Sequence, residues 1–96
     1  MISHSVIFKL HHPKESSGEA EFFIEASKLA NIPGVKKFKI LKQTSPNNKY
    51  EYGIIMQFSN KKNYREYSNH PNHILFIQQY WTNGVVDFLE IDFEPL

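Results

Sequence analysis

Tyr50-Glu51-Tyr52-Gly53-Ile54-Ile55-Met56-Gln57-Phe58 is the stretch on which the reading of the fold turns. A two-residue period sends Tyr50, Tyr52, Ile54, Met56 and Phe58 to one side of an extended backbone, which is the pattern of a strand buried on one face. Before it, Ser45-Pro46-Asn47-Asn48 makes a loop, and Val35 to Lys42 alternates Phe38 and Ile40 with Lys37, Lys39 and Leu41, a second strand entered through the turn at Pro33-Gly34. Nearer the N-terminus, Phe22, Phe23, Ala26, Leu29 and Ala30 recur at helical spacing, with Glu21, Glu25 and Lys28 left for water. A helix over 17–31 is predicted there, opened by Ser16 and Glu19 as a capping box. The opening His4-Ser5-Val6-Ile7-Phe8-Lys9-Leu10 places His4, Val6, Phe8 and Leu10 on one side and reads as the first strand. On the C-terminal side, Ser59 is expected to cap a short helix reaching Tyr67. Pro71 suits the first turn of a further helical segment ending at Tyr80-Trp81, and Asn83-Gly84 stops it. Val85 to Phe93 is the last strand, with Val86 and Phe88 on one side and Leu89, Ile91 and Phe93 on the other.

The order is β-α-β-β-α-β with the second α split at Asn69-His70-Pro71, an α+β, ferredoxin-like arrangement of one four-stranded antiparallel sheet with helices on one side. The sheet then has a second face. Ile7, Leu41, Ile55 and part of the Leu89, Ile91, Phe93 row lie on sides that one helical layer leaves open, so a homodimer with sheets facing each other is expected.

The 96 residues make one domain over 1–96, at a size where roughly 60–65% of the unfolded surface is buried on folding. A hydrophobic fraction of 41% and an aromatic fraction of 15% exclude a disordered chain. Eleven Lys+Arg against ten Asp+Glu leave a net charge of +1, too weak a field for backbone-dominated nucleic-acid binding. The absence of cysteine excludes disulfides, thiolate metal sites and cysteine nucleophiles. No apolar run approaches the roughly 18 residues of a membrane span, and the opening is not a signal peptide, so a cytoplasmic location without membrane contact is expected.

His4-Ser5-Val6-Ile7-Phe8-Lys9-Leu10, Ile32-Pro33-Gly34-Val35, Tyr52 to Phe58, Tyr67-Ser68-Asn69-His70-Pro71-Asn72-His73 and Ile91-Asp92-Phe93, taken in this order, resemble the stress-responsive A/B-barrel domain (Dabb) family of the dimeric α+β barrel group. The first strand beginning at His4 resembles that family's opening; Ile32-Pro33-Gly34-Val35 resembles the entry to its second strand, and Tyr52 to Phe58 its third. Tyr67-Ser68-Asn69-His70-Pro71-Asn72-His73 carries the most specific pattern, Tyr, two free positions and then His-Pro-x-His, and Ile91-Asp92-Phe93 is similar to the closing strand. The resemblance implies a sheet-to-sheet homodimer. It also implies a set of site residues, because one branch, olivetolic acid cyclase, uses a first-strand His, a Tyr ahead of His-Pro-x-His and the second His of that motif. These positions are His4, Tyr67 and His73 here, while a pocket tyrosine of the cyclase's first helix falls on Ala26.

Ring closure by an aldol reaction needs a base at the carbon beside a carbonyl and a donor for the oxygen that gains charge. His73, in the first turn after Pro71, fits the base, since burial and the helix dipole both oppose its protonation. Tyr67 offers a phenol donor, and His4 is expected to orient a carbonyl or to hold His73 in one tautomer. A small apolar carbonyl or aromatic ligand is expected between sheet and helices, against Phe8, Phe22 and Phe23. No cofactor is implied. Alternatives are a cofactor-independent monooxygenase using Trp81 and the histidines, and a non-catalytic stress-associated dimer in which His4 is a bonded core histidine and His70-Pro71-Asn72-His73 only starts a helix. His70 and His73 do not make a metal site, because Pro71 breaks their spacing and no carboxylate completes the set. Lys36, Lys37, Lys39 and Lys42 read as a solvated edge, Tyr80-Trp81 as packing, and Asp87, Glu90, Asp92 and Glu94 as solubilising, with Asp92 open to a structural role.

Overall fold

β1 (Ile2–Leu10) runs through the middle of the sheet in a computed structural model that describes residues 1–96. It is followed by α1 (Ser17–Ser27), which tightens into a 3-10 turn at Lys28–Asn31, then by the hairpin of β2 (Lys36–Lys42) and β3 (Tyr52–Phe58). Next come α2 (Lys61–Asn69), α3 (Pro71–Phe76), a π-helical turn at Ile77–Trp81, a last turn α4 (Thr82–Gly84) and β4 (Val85–Phe93). The strand order is β2-β3-β1-β4, and every neighbouring pair is antiparallel. The ferredoxin-like arrangement read from the sequence is therefore the fold.

Register decides which residues meet. His4 lies opposite Met56 and Asp92, Val6 opposite Ile54 and Glu90, and Phe8 opposite Tyr52 and Phe88, so these rows share one face. Phe22, Ala26 and Leu29 of the first helical segment, with Tyr67 and Phe76 of the later ones, close over that face and form the core with Phe8, Ile54, Met56 and Phe58. The helical side covers β4 only in part, which leaves Phe88 51% exposed although its row points to the helical side. On the opposite face Ile7, Ile55, Leu41, Leu89, Ile91 and Phe93 stand together without cover.

Local chemistry explains the boundaries. Ser16 Oγ accepts from the Glu19 amide at 3.2 Å, but the Glu19 carboxylate accepts from the Glu15 amide and the Tyr52 hydroxyl, so only half of the expected capping box forms. Asn60, not Ser59, caps α2: its side chain accepts from the Asn63 amide at 2.8 Å, while Ser59 Oγ accepts from Lys36 Nζ. Gly34, at φ +90, takes the left-handed conformation that the turn into β2 requires. Lys36, Lys37, Lys39 and Lys42 are all exposed along the β2 edge, and the register breaks between Lys36 and Lys39, two devices that blunt an edge strand. Asn83-Gly84 ends the helical segment as read: both lie in its last turn, and β4 starts directly after Gly84.

Candidate functional site

Pro71 opens α3, and His70 caps it by accepting the Asn72 amide on Nδ1 at 3.1 Å. That local structure aims the next histidine back along the chain. His73 Nδ1 lies 3.0 Å from the Ser68 carbonyl, which can only accept, so Nδ1 carries the proton and Nε2 keeps a bare lone pair when the ring is neutral. His4 is held in the same sense. Its Nδ1 lies 2.6 Å from Asp92 Oδ1 and 2.8 Å from the Tyr64 hydroxyl, and the hydroxyl donates to Asp92 Oδ2 at 2.8 Å. A carboxylate accepts only, so the His4 Nδ1–H points at Asp92 and Nε2 is free.

His4, Tyr67 and His73 are brought together in the wall of one cavity of about 460 Å3. The Tyr67 ring lies between the imidazoles, its centroid 4.6 Å from that of His73 and 6.3 Å from that of His4. Neither Nε2 nor the Tyr67 hydroxyl has a protein partner, and no buried side-chain polar atom in the molecule lacks one, so all three groups open onto cavity space. The other walls are mostly apolar: Val6, Ile54 and Met56 from the sheet, Phe76, Ile77 and Trp81 from the helical side with the Thr82 hydroxyl bonded back to the Ile77 carbonyl, and Val85 and Phe88 from β4. Glu90 is the one carboxylate in the lining, and no Lys or Arg joins it. The volume falls within the range of about 300–1,000 Å3 that small-molecule pockets occupy. A larger open groove of about 630 Å3 lies behind the His4–Asp92 pair, walled by Lys61, Arg65 and Glu94, and neither His4 nor His73 reaches it.

Burial lowers the His73 pKa, opposed by the Ser68 carbonyl and by Glu90. Burial likewise raises the Tyr67 and Tyr64 hydroxyls, with the Asp92 carboxylate adding to the effect at Tyr64, so both remain protonated donors in the neutral range. The site thus presents the His73 Nε2 acceptor, the Tyr67 hydroxyl donor and the unpartnered His4 Nε2 on a largely apolar lining.

The expected aromatic contacts lie elsewhere. Phe8 and Phe22 are 0% and 1% exposed inside the core, Phe23 packs its ring on Tyr52, and none of the three lines the cavity. His73 takes its tautomer from Ser68 and not from His4. Glu90 and Asp92, read from the sequence as water-facing acids, stand in the helix-side rows opposite Val6 and His4. The aspartate is structural through its bond to His4, as the reading allowed. Sequence reasoning misses Tyr64, although its place three residues before Tyr67, on the same helical face, is a signal that could have found it. No group of three or more His, Cys, Asp or Glu side chains is arranged to hold a metal ion. No helix is long and apolar enough to cross a membrane.

The family model for the stress responsive A/B barrel domain matches residues 2–95. Among solved structures, a Dabb family protein with a ferredoxin-like fold from Mesorhizobium loti is 41% identical, superposes with a TM-score of 0.97, and is matched over 99% of this chain and 96% of its own. An Arabidopsis thaliana protein is 23% identical with a TM-score of 0.85 over 100% and 96% of the two chains. A hydroxynitrile lyase from Passiflora edulis is 12% identical with a TM-score of 0.82 over 96% and 90%. At those two lower identities the likeness is one of fold. No curated protein matches the sequence.

Proposed function

We propose, for a chain that belongs to the stress-responsive A/B barrel (Dabb) family, that the cavity binds a small neutral carbonyl compound. There it moves a proton at the carbon beside the carbonyl, as a cofactor-free lyase or cyclase does. The observation that carries this reading is the convergence of three unpartnered groups, His4 Nε2, His73 Nε2 and the Tyr67 hydroxyl, on one apolar cavity. His73, kept neutral by burial, accepts the proton on Nε2 as the carbon–hydrogen electron pair passes toward the carbonyl. The Ser68 carbonyl and Glu90 face the positive charge that forms on the ring. Tyr67 donates to the oxygen that becomes an enolate. His4, locked by Asp92 and Tyr64, turns its Nε2 to the cavity and orients the ligand, and the proton returns to carbon from the His73 Nε2 that took it. With no Lys or Arg in the lining and Glu90 present, a phosphate or carboxylate finds no counter-charge, so the ligand is neutral.

The test is deuterium uptake into the methyl group of acetophenone in D2O, followed by proton NMR. Exchange above the buffer rate is expected for the wild type, with loss of that excess in His73→Ala. Asp92→Asn keeps the side-chain shape but puts a donor NH2 where one carboxylate oxygen accepted, so either His4 or Tyr64 loses its acceptor, and a fall of about tenfold or more is expected. Binding with exchange at the buffer rate would remove the catalytic half of the reading; the absence of both would remove all of it.

A homodimer through the uncovered sheet face completes the proposal. Phe93, Leu89 and Leu41 are 59%, 46% and 45% exposed there, beside Ile7, Ile55 and Ile91, an apolar patch that a second copy covers.

A further inference from the structure

The π-helical turn changes what the cavity touches. In an α-helix, residues five apart sit about 140° apart around the axis and face different ways. Phe76 and Trp81 are five apart, as are Ile77 and Thr82, yet all four line the same cavity. The wider turn over Ile77–Trp81 brings each pair back to one side. It is pinned twice, because the Ile77 carbonyl accepts both the Thr82 amide and the Thr82 hydroxyl, the latter at 2.9 Å. The indole of Trp81 is thereby laid between the core and the cavity. Its ring centroid is 5.1 Å from that of Phe8, 6.2 Å from Phe22 and 5.5 Å from Phe88. Phe8 and Phe22 are sealed from the cavity on the side where Trp81 stands.

We infer that Trp81 is the floor of the apolar end of the cavity and sets the longest hydrophobic tail that a ligand can carry. This rests on the proposed binding of a neutral carbonyl compound, with the carbonyl at His4, Tyr67 and His73 and the tail running toward Trp81 and Phe88. Shortening the indole opens the space between Phe8 and Phe88 to the ligand, so the cut-off in tail length moves outward.

The probes are acetophenone and its para-alkyl derivatives from methyl to hexyl, titrated by calorimetry against the wild type, Trp81→Ala and Trp81→Leu. Trp81 is the only tryptophan in the chain, so its fluorescence gives an independent wild-type titration. Wild-type affinity is expected to rise with tail length and then to drop at a cut-off. In Trp81→Ala the cut-off moves out by two carbons or more, and each methylene admitted raises affinity about fourfold. Trp81→Leu, which keeps an apolar filling against Phe8 and Phe22, shows a smaller shift in the same direction and serves if the alanine variant does not fold. A cut-off unchanged in a folded variant, or an equal loss of affinity at every length, overturns the assignment of Trp81. If the wild type binds no member of the series, it is the proposed ligand class that fails.

Discussion

At the scale of single residues, His73 couples the site to stability through protonation. Its folded pKa lies below the ordinary 6.5, with burial the largest cause. As pH falls through about 6.5 the unfolded chain takes up a proton that the folded chain refuses, so folding stability declines with falling pH until the folded value is passed, and above 6.5 this group contributes no slope. Urea denaturation between pH 7.5 and 5.5 is expected to show that decline in the wild type and a shallower one in His73→Gln; parallel slopes would show that His73 is not its source. The same shift keeps the base neutral below 6.5, so the acid limb of the exchange rate falls there as well. His4, Tyr67 and His73 were legible because the resemblance to the family implies them, His4 through its first strand and the other two through Tyr and His-Pro-x-His. Asp92 was legible only as an acid at the end of a strand. Its bond to His4 spans 88 positions and depends on the β1–β4 register. Glu90 is exposed, as its reading as a solubilising acid requires, yet it stands in the helix-side row and lines the cavity, a position that only the β1–β4 register reveals.

Whole elements were easier to read, since hydrophobic period is local. The strand over 85–93 came out with its bounds intact; β2 and β3 start one and two residues later than read, and β1 two residues earlier, because Ile2 and Ser3 pair with Phe58 and Gln57. Caps were harder to assign, because two adjacent polar residues, Ser59 and Asn60, both suit the start of α2 and only backbone geometry chooses between them. Asn60 has the extended backbone and accepts the Asn63 amide, so Asn60→Ala is expected to cost about 0.5–2 kcal/mol in chemical denaturation. Ser59→Ala removes only an exposed contact to Lys36 and is expected to change stability by less than about 0.5 kcal/mol. Equal losses in the two variants would contradict the assignment of the cap. The π turn left no trace in the hydrophobic pattern, which is why Phe8 and Phe22 looked like cavity walls. A period of 3.6 places Trp81 with the packing at the helix end, and only the wider turn rotates it into the gap between core and cavity.

For the molecule as a whole, only 15 of 96 residues are buried in the single chain, which leaves apolar surface for the proposed homodimer to cover. Two surfaces compete for that role. One is the uncovered sheet face with Leu41, Leu89 and Phe93; the other is the free edge of β4, where Val86 and Phe88 are exposed beside unpaired backbone groups. Pairing through the face leaves the cavity mouth clear, because the cavity opens on the helical side of the sheet. Pairing through the edge sets the partner beside Phe88 and Glu90 at that mouth. Sedimentation distinguishes them. The wild type is expected at twice the 11.3 kDa chain mass, and Leu89→Arg combined with Phe93→Arg at the mass of one chain, with its circular dichroism preserved. Ligand binding per chain stays unchanged in that variant, since neither residue touches the cavity. A dimer that survives both arginines, or one whose loss carries binding away with it, puts the interface at the β4 edge. The face-paired dimer also makes thermal stability rise with protein concentration, because each copy binds the folded form of the other. The arginine variant removes that dependence.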